Sequence, residues 1–275
     1  TLPSLYERQS GLRSYNLGVQ GYAPTQMLGT YNIYANNLKP KKVFMIYYST
    51  IFERELKFLD LEKAKVEKNF TGGIGNLSRK ENNREIKAGS QSRRIFTSVL
   101  IAGYNYLINA RSSKTKHENE QTIDWNFEKN PLIDVYKTEI INSLIDYGYL
   151  VEEIQKDGVA WKQTKEVIKS LKDNCESNGQ EFALVYMPRR ASVYYKSFSN
   201  DFETKFIDDY EVEEFKEFCS ANNITFINPT NELINYTRII SKGGDKTKLP
   251  YLEIDRHMSE FGYKTVAQVI INNDK

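Results

Sequence analysis

The chain has 275 residues, 40% of them hydrophobic and 27% charged, enough for one large α/β core. Lys and Arg total 38 against 36 for Asp and Glu, a net charge of +2 with the basic positions scattered, which leaves no electrostatic footprint for a nucleic-acid partner. No run approaches the ~18 apolar residues of a spanning helix, and the two cysteines, Cys175 and Cys219, cannot form a metal site alone. Neither a metal nor a cofactor is expected.

Thr1-Leu2-Pro3 reads as the start of a short helix that carries Ser4 and Ser10, and it lacks the basic and apolar blocks of a secretory signal. The numbering begins at Thr1 rather than a methionine, so an upstream signal or anchor stays open, and the compartment with it. Ser14 to Val19 is expected as a first strand, ending around Gly18 and Gly21. Val43 to Tyr48 is a buried strand by its unbroken apolarity.

From about 58 to 130 the composition changes to lysine-rich polar stretches, a Thr71-Gly72-Gly73-Ile74-Gly75 loop and a helical pattern from Arg93 to Ala110. This reads as a helical and loop insertion over the strand ends of a single domain, 1–275. Gly72, Gly73 and Gly75 make no phosphate loop, because no Lys-Ser/Thr follows at the required spacing. His117 lies in the charge run from Lys114 to Glu120 and is expected in solvent.

Beyond the insertion, Ala160, Thr164, Ile168, Leu171 and Cys175 share one helical face, closed by Asn178-Gly179. Glu181 to Met187 is a strand stopped by Pro188, Val212, Phe215 and Cys219 mark a second helix, and Ile224 to Ile227 is a shorter strand. Both thiols fall late in these helices and are expected to be buried. A last helix places Tyr263, Val266, Ala267 and Ile270 on one face. Alternation of apolar strands with helix-period segments implies a mostly parallel sheet covered on both faces.

Between the apolar run Leu249 to Ile254, expected to end a strand, and that last helix stands Asp255-Arg256-His257. An acid two positions before a histidine can orient and polarise the imidazole as a general base. The chain has only two histidines, which makes His257 the leading candidate.

Four segments carry a resemblance. Asn16-Leu17-Gly18-Val19-Gln20-Gly21-Tyr22 follows the first expected strand; Lys39-Pro40 precedes the next; Tyr186-Met187-Pro188 ends a third; and Asp255-x-His257 is followed by Ser259-Glu260-Phe261-Gly262-Tyr263. In order and spacing the chain resembles the SGNH (GDSL-type) hydrolase superfamily, in its Asp-x-His form. The resemblance implies a flavodoxin-like three-layer α/β/α fold and a serine esterase or acyltransferase acting on an acylated small molecule or glycan. It further implies His257 as base, Asp255 as its orienter and the Gly21 N–H as an oxyanion donor, and it is compatible with an exported or periplasmic bacterial setting.

Two departures accompany it. The Gly-Asp-Ser block expected before the second block is absent, since only Thr1 to Arg13 lies there, and the turn after the Val43 strand reads Ser49-Thr50-Ile51-Phe52-Glu53, without the Asn that supplies an oxyanion group. The nucleophile is then expected on a strand upstream of this chain, on a removed segment, or on another chain. Thr1 as an amine-activated nucleophile does not suit the surrounding fold signals, and Ser49 and Thr50 are read as hydrogen-bonded strand-end residues. The alternative is a catalytically inactive module of the same fold that binds a carbohydrate or a protein partner. A dinucleotide site is disfavoured by the lack of a Gly-x-Gly-x-x-Gly turn.

Overall fold

The computed structural model describes residues 1–59, 131–145, 147–199, 203–242 and 245–274. All of these belong to one compact unit, formed by Thr1–Asp60 and Asn126–Lys275, and a second unit, Leu61–Trp125, lies outside them. The expected insertion, with its Thr71–Gly75 loop, its helix from Arg93 and His117, therefore falls almost wholly outside the described residues.

Three parallel strands form the sheet: β1 (Lys42–Tyr48), β2 (Glu181–Met187) and β3 (Thr225–Ile227), in the order β1-β2-β3. β1 and β2 pair in register over their whole length, from Lys42 opposite Glu181 to Tyr48 opposite Met187, and β3 joins with three rungs, Ala183–Thr225 to Val185–Ile227. Phe182 to Met187 are all buried, as an unbroken apolar run in a central parallel strand requires. The described helices are α1 (Leu2–Ser10), α2 (Pro24–Leu38), α3 (Pro131–Ile145), α4 (Gly148–Gln155), α5 (Val159–Ser177), α6 (Arg190–Phe198), α7 (Ile207–Ala221), α8 (Thr230–Lys242) and α9 (Glu260–Asn272). A further helical stretch occupies 52–59. The fold is mixed α/β with helix predominating.

Strand side chains alternate between the two faces. On one, Tyr47, Leu184 and Tyr186 meet Trp161 of α5 and Phe215 of α7, with Phe215 4.7 Å from the Tyr47 ring and 4.8 Å from Trp161 between ring centroids. All five residues on the α5 stripe expected from the sequence, Ala160, Thr164, Ile168, Leu171 and Cys175, are buried. α5 ends where expected: Gly179 adopts φ 67° and the Gln180 N–H returns to the Cys175 carbonyl at 2.8 Å. On the other face the Tyr6 ring of α1 sits edge-on to Phe44 at 5.5 Å, and the hydroxyls of Tyr48 and Tyr263 are 3.1 Å apart. The chain ends are pinned nearby, with Asp274 accepting from both Tyr6 and Lys42.

Two sequence expectations are corrected. Ser14 to Val19 is irregular rather than a strand. Its backbone is engaged locally, with the Gly18 N–H donating to Asn16 Oδ1 and the Ser14 N–H to Glu7, and such side-chain bonds compete with a ladder that has no neighbouring strand to complete it. The apolar run before Asp255 forms no strand either: a 3-10 turn at Lys246–Lys248 leads into a single antiparallel bridge between Tyr251 and Met258.

Candidate functional site

The segment before α9 is folded into a hairpin-like tip. Ser259 caps α9 by accepting the Gly262 N–H and donates its own hydroxyl to the Leu249 carbonyl at 2.6 Å. The Ser259 N–H reaches the Pro250 carbonyl and the Leu252 N–H the His257 carbonyl, both at 2.8 Å. These bonds close 252–257 into a loop that projects from the body, with Ile254 97% exposed.

Within the tip, Asp255 serves His257 twice. Its Oδ1 accepts the His257 backbone N–H at 3.0 Å, and its Oδ2 lies 3.1 Å from His257 Nδ1. The arrangement requires Arg256 at φ 62°, a left-handed conformation. The backbone N–H of His257, followed by its imidazole, holds the Asp255 carboxyl below the usual carboxylate range. A proton on Nδ1 directed at Asp255 fixes the tautomer and leaves Nε2 as the basic nitrogen. Both side chains are more than half exposed.

The tip is rooted at the C-terminal end of β2. Tyr251 donates its hydroxyl to the Pro188 carbonyl at 2.8 Å, and Tyr194 donates to the Tyr251 carbonyl. Arg190 is buried under the loop, donating to the Leu252 and Glu253 carbonyls while pairing with Glu139 of α3 and lying over the Tyr136 ring. This places Asp255 and His257 beyond the carboxyl ends of parallel strands, where open α/β sheets bind ligands.

At the same end of the sheet a second polar cluster is buried. Glu211 of α7 is fully enclosed and accepts four donors: the Tyr47 hydroxyl at 2.9 Å and the Thr50 N–H at 2.8 Å on Oε1, and the Ser49 hydroxyl at 2.6 Å and the Tyr186 hydroxyl at 2.7 Å on Oε2. One turn earlier, Asp208 receives the Arg189 N–H at 2.7 Å and its Nε at 3.0 Å. Arg189 lies over the Tyr147 ring at 4.1 Å, with neither Nη hydrogen-bonded. Burial, and then the neighbouring Asp208 charge, push the Glu211 carboxyl up to about 7. Burial likewise drives the Tyr47 and Tyr186 hydroxyls upward, so both remain neutral donors.

Gly21 occupies an exposed turn at φ 84°, the left-handed region a glycine accepts without strain. Arg54, on the helical stretch after β1, donates to the Tyr22 carbonyl next to it at 3.4 Å. Thus Asp255 and His257 are brought together, whereas no hydrogen bond among the described residues joins Gly21 to them. Ser49 is a hydrogen-bonded strand-end residue, its hydroxyl committed to Glu211.

Sequence reasoning passed over Glu211, Asp208 and the Arg189-Arg190 pair. A signal for Glu211 was present: it stands four residues from both Ile207 and Phe215, an acid on the core-facing stripe of α7. Among the described residues no group of three or more His, Cys, Asp or Glu side chains could hold a metal ion, and no helix is long and apolar enough to cross a membrane. No protein-family model, curated protein or solved structure matches the chain.

Proposed function

We propose that this chain is an SGNH-type ester hydrolase or acyltransferase-like domain, built on a flavodoxin-like three-layer α/β/α plan and acting on an O-acylated carbohydrate. The reading rests on one observation: Asp255 holds His257 through both its backbone N–H and Nδ1, leaving Nε2 free at the C-terminal end of a parallel sheet. His257 Nε2 takes the proton of a serine hydroxyl as the serine oxygen bonds to the acyl carbon. The same nitrogen then returns the proton to the departing alcohol oxygen, and water or an acceptor alcohol releases the acyl group by the reverse sequence. The Gly21 N–H is assigned to the developing oxyanion.

In this reading the serine comes from a strand outside this chain, upstream of it or on another chain, that adds to β1. Two features support this. β1 ends the sheet among the described residues, and its outer edge is long and apolar, which natural sheets otherwise protect. The test is hydrolysis of p-nitrophenyl acetate and an acetylated oligosaccharide by the natural full-length protein, combined with fluorophosphonate labelling and mass spectrometry. Turnover that His257→Ala abolishes, with label on one serine, is the expected result; neither turnover nor labelling overturns the reading.

One observation favours a non-catalytic module of the same fold instead. The turn after β1 carries Ser49 and Thr50, whose hydroxyl and backbone N–H respectively are consumed by Glu211, so this turn offers neither of these groups as an oxyanion donor. That reading expects saturable binding of an acetylated oligosaccharide without its hydrolysis, measured by calorimetry on the same full-length protein.

A further inference from the structure

Glu211 is a buried carboxylate that the ester reading does not use, and its surroundings carry an inference that stands independently of that reading. Four donors from three different places converge on it: Tyr47 at the end of β1, Ser49 and Thr50 in the following turn, and Tyr186 on β2. Thr50 is β-branched and sits at φ 69°, a conformation such residues avoid and keep only where the surroundings enforce it. The Thr50 N–H on Glu211 Oε1 is one of the contacts that hold it there, beside the Ile51 N–H on the Tyr48 carbonyl at 3.0 Å.

We propose that Glu211 is a proton-responsive latch on the turn that follows β1. In the ionised form every acceptor site of the carboxylate is filled, and the left-handed Thr50 is clamped. When the carboxyl takes up a proton it must donate one bond where it previously accepted four. The hydroxyls of Ser49 and Tyr186, both on Oε2, can rotate to accept; on Oε1 the Thr50 N–H cannot reverse, and the Tyr47 hydroxyl is held by the Phe52 backbone N–H, from which it accepts. The proton therefore goes to Oε2, one hydroxyl there turns round, and Oε1 becomes a neutral carbonyl oxygen whose bond to Thr50 is weaker than a charge-assisted one. The turn relaxes at the end of the sheet where ligands of open α/β folds are bound.

The charged and titratable groups facing Glu211 set where this occurs. On α7 itself Asp208 opposes ionisation, and Arg189 after β2, paired to Asp208, offsets part of that effect. Tyr47 on β1 and Tyr186 on β2 face it as neutral donors. α4 and α5 enter the same core with Leu150, Ile154 and Trp161, which bring no charge.

The experiment is NMR of the full chain carrying 13C-labelled glutamate carboxyls and 15N-labelled amides, titrated from pH 5 to 9. One carboxyl resonance, absent in Glu211→Gln, is expected to titrate near neutrality, and the Thr50 amide to follow with the same midpoint. Asp208→Asn should lower that midpoint and Ser49→Ala should raise it, each by about one unit. Both substitutions leave Glu211 in place and keep the test usable if Glu211→Gln does not fold. A Glu211 carboxyl that titrates in the ordinary range below pH 5, or a Thr50 amide indifferent to its titration, overturns the latch.

Discussion

Asp255 and His257 are joined by two bonds that run through opposite oxygens of one carboxylate: Oδ1 holds the histidine backbone at 3.0 Å and Oδ2 its Nδ1 at 3.1 Å. The backbone bond places the imidazole, and the side-chain bond selects its tautomer. Because the pair is exposed, its Coulombic contribution to stability is small. Its value lies in orientation.

If the proposed ester chemistry is right, replacing either member separates activity from stability. In the natural full-length protein, Asp255→Ala and His257→Ala should each lower ester turnover by roughly 100-fold or more. Chemical denaturation should show stability within about 0.5 kcal/mol of the parent, as for exposed substitutions generally. Unchanged turnover in Asp255→Ala would remove the residue from the mechanism.

Glu211 should leave a signature in the pH dependence of stability. Its carboxyl is raised from 4.5 to about 7 by burial and by Asp208, so between those values the unfolded chain has released a proton that the folded chain retains. This contribution is fully present below pH 4.5 and is lost as pH rises through 7. It amounts to something on the order of 3 kcal/mol. Urea denaturation should show the decline in the parent and a flatter profile in Glu211→Gln. Glu211→Ala, which strands four donors, should cost about 3–5 kcal/mol.

Two glycines distinguish lack of space from lack of conformational freedom. A Cβ on Gly262 would lie 2.3 Å from the Pro250 carbonyl oxygen, so Gly262→Ala must push α9 away from the loop that carries Asp255 and should cost about 2–3 kcal/mol. At Gly21 a Cβ meets nothing within 4 Å, but φ is +84°, and Gly21→Ala should cost only about 1 kcal/mol. Thermal melts of the two variants give the comparison.

The two thiols should be silent in the folded protein. Cys175 and Cys219 are buried and unpaired, and burial pushes the Cys219 thiol up to about 12, far from the thiolate that reacts. Ellman's reagent at pH 8 should detect neither until denaturant is added. Rapid labelling of either one in buffer would show that the helix carrying it opens.

Much of the framework could be read from local pattern. The unbroken apolar runs at Val43–Tyr48 and Glu181–Met187 emerge as paired strands, and the α5 stripe is buried position for position, because side-chain period alone decides which groups a strand or helix turns inward. The Asp255–His257 contact was legible for the same reason, being a bond between residues two apart. Ser14 to Val19 misled, since a strand exists only with a neighbour to pair with, and no pattern within six residues specifies one.

What the sequence determined by itself was therefore which residues face the interior and which short segments bend back on themselves. Tertiary structure decided which of those inward groups meet. That Glu211 finds Tyr47, Ser49, Thr50 and Tyr186, and that Arg190 reaches from the end of β2 to Glu139 and the loop before His257, follows from packing elements remote in the chain. The physical reason is that a buried charge is tolerated only where its donors have been gathered around it, and that gathering is a property of the assembled core rather than of any segment within it.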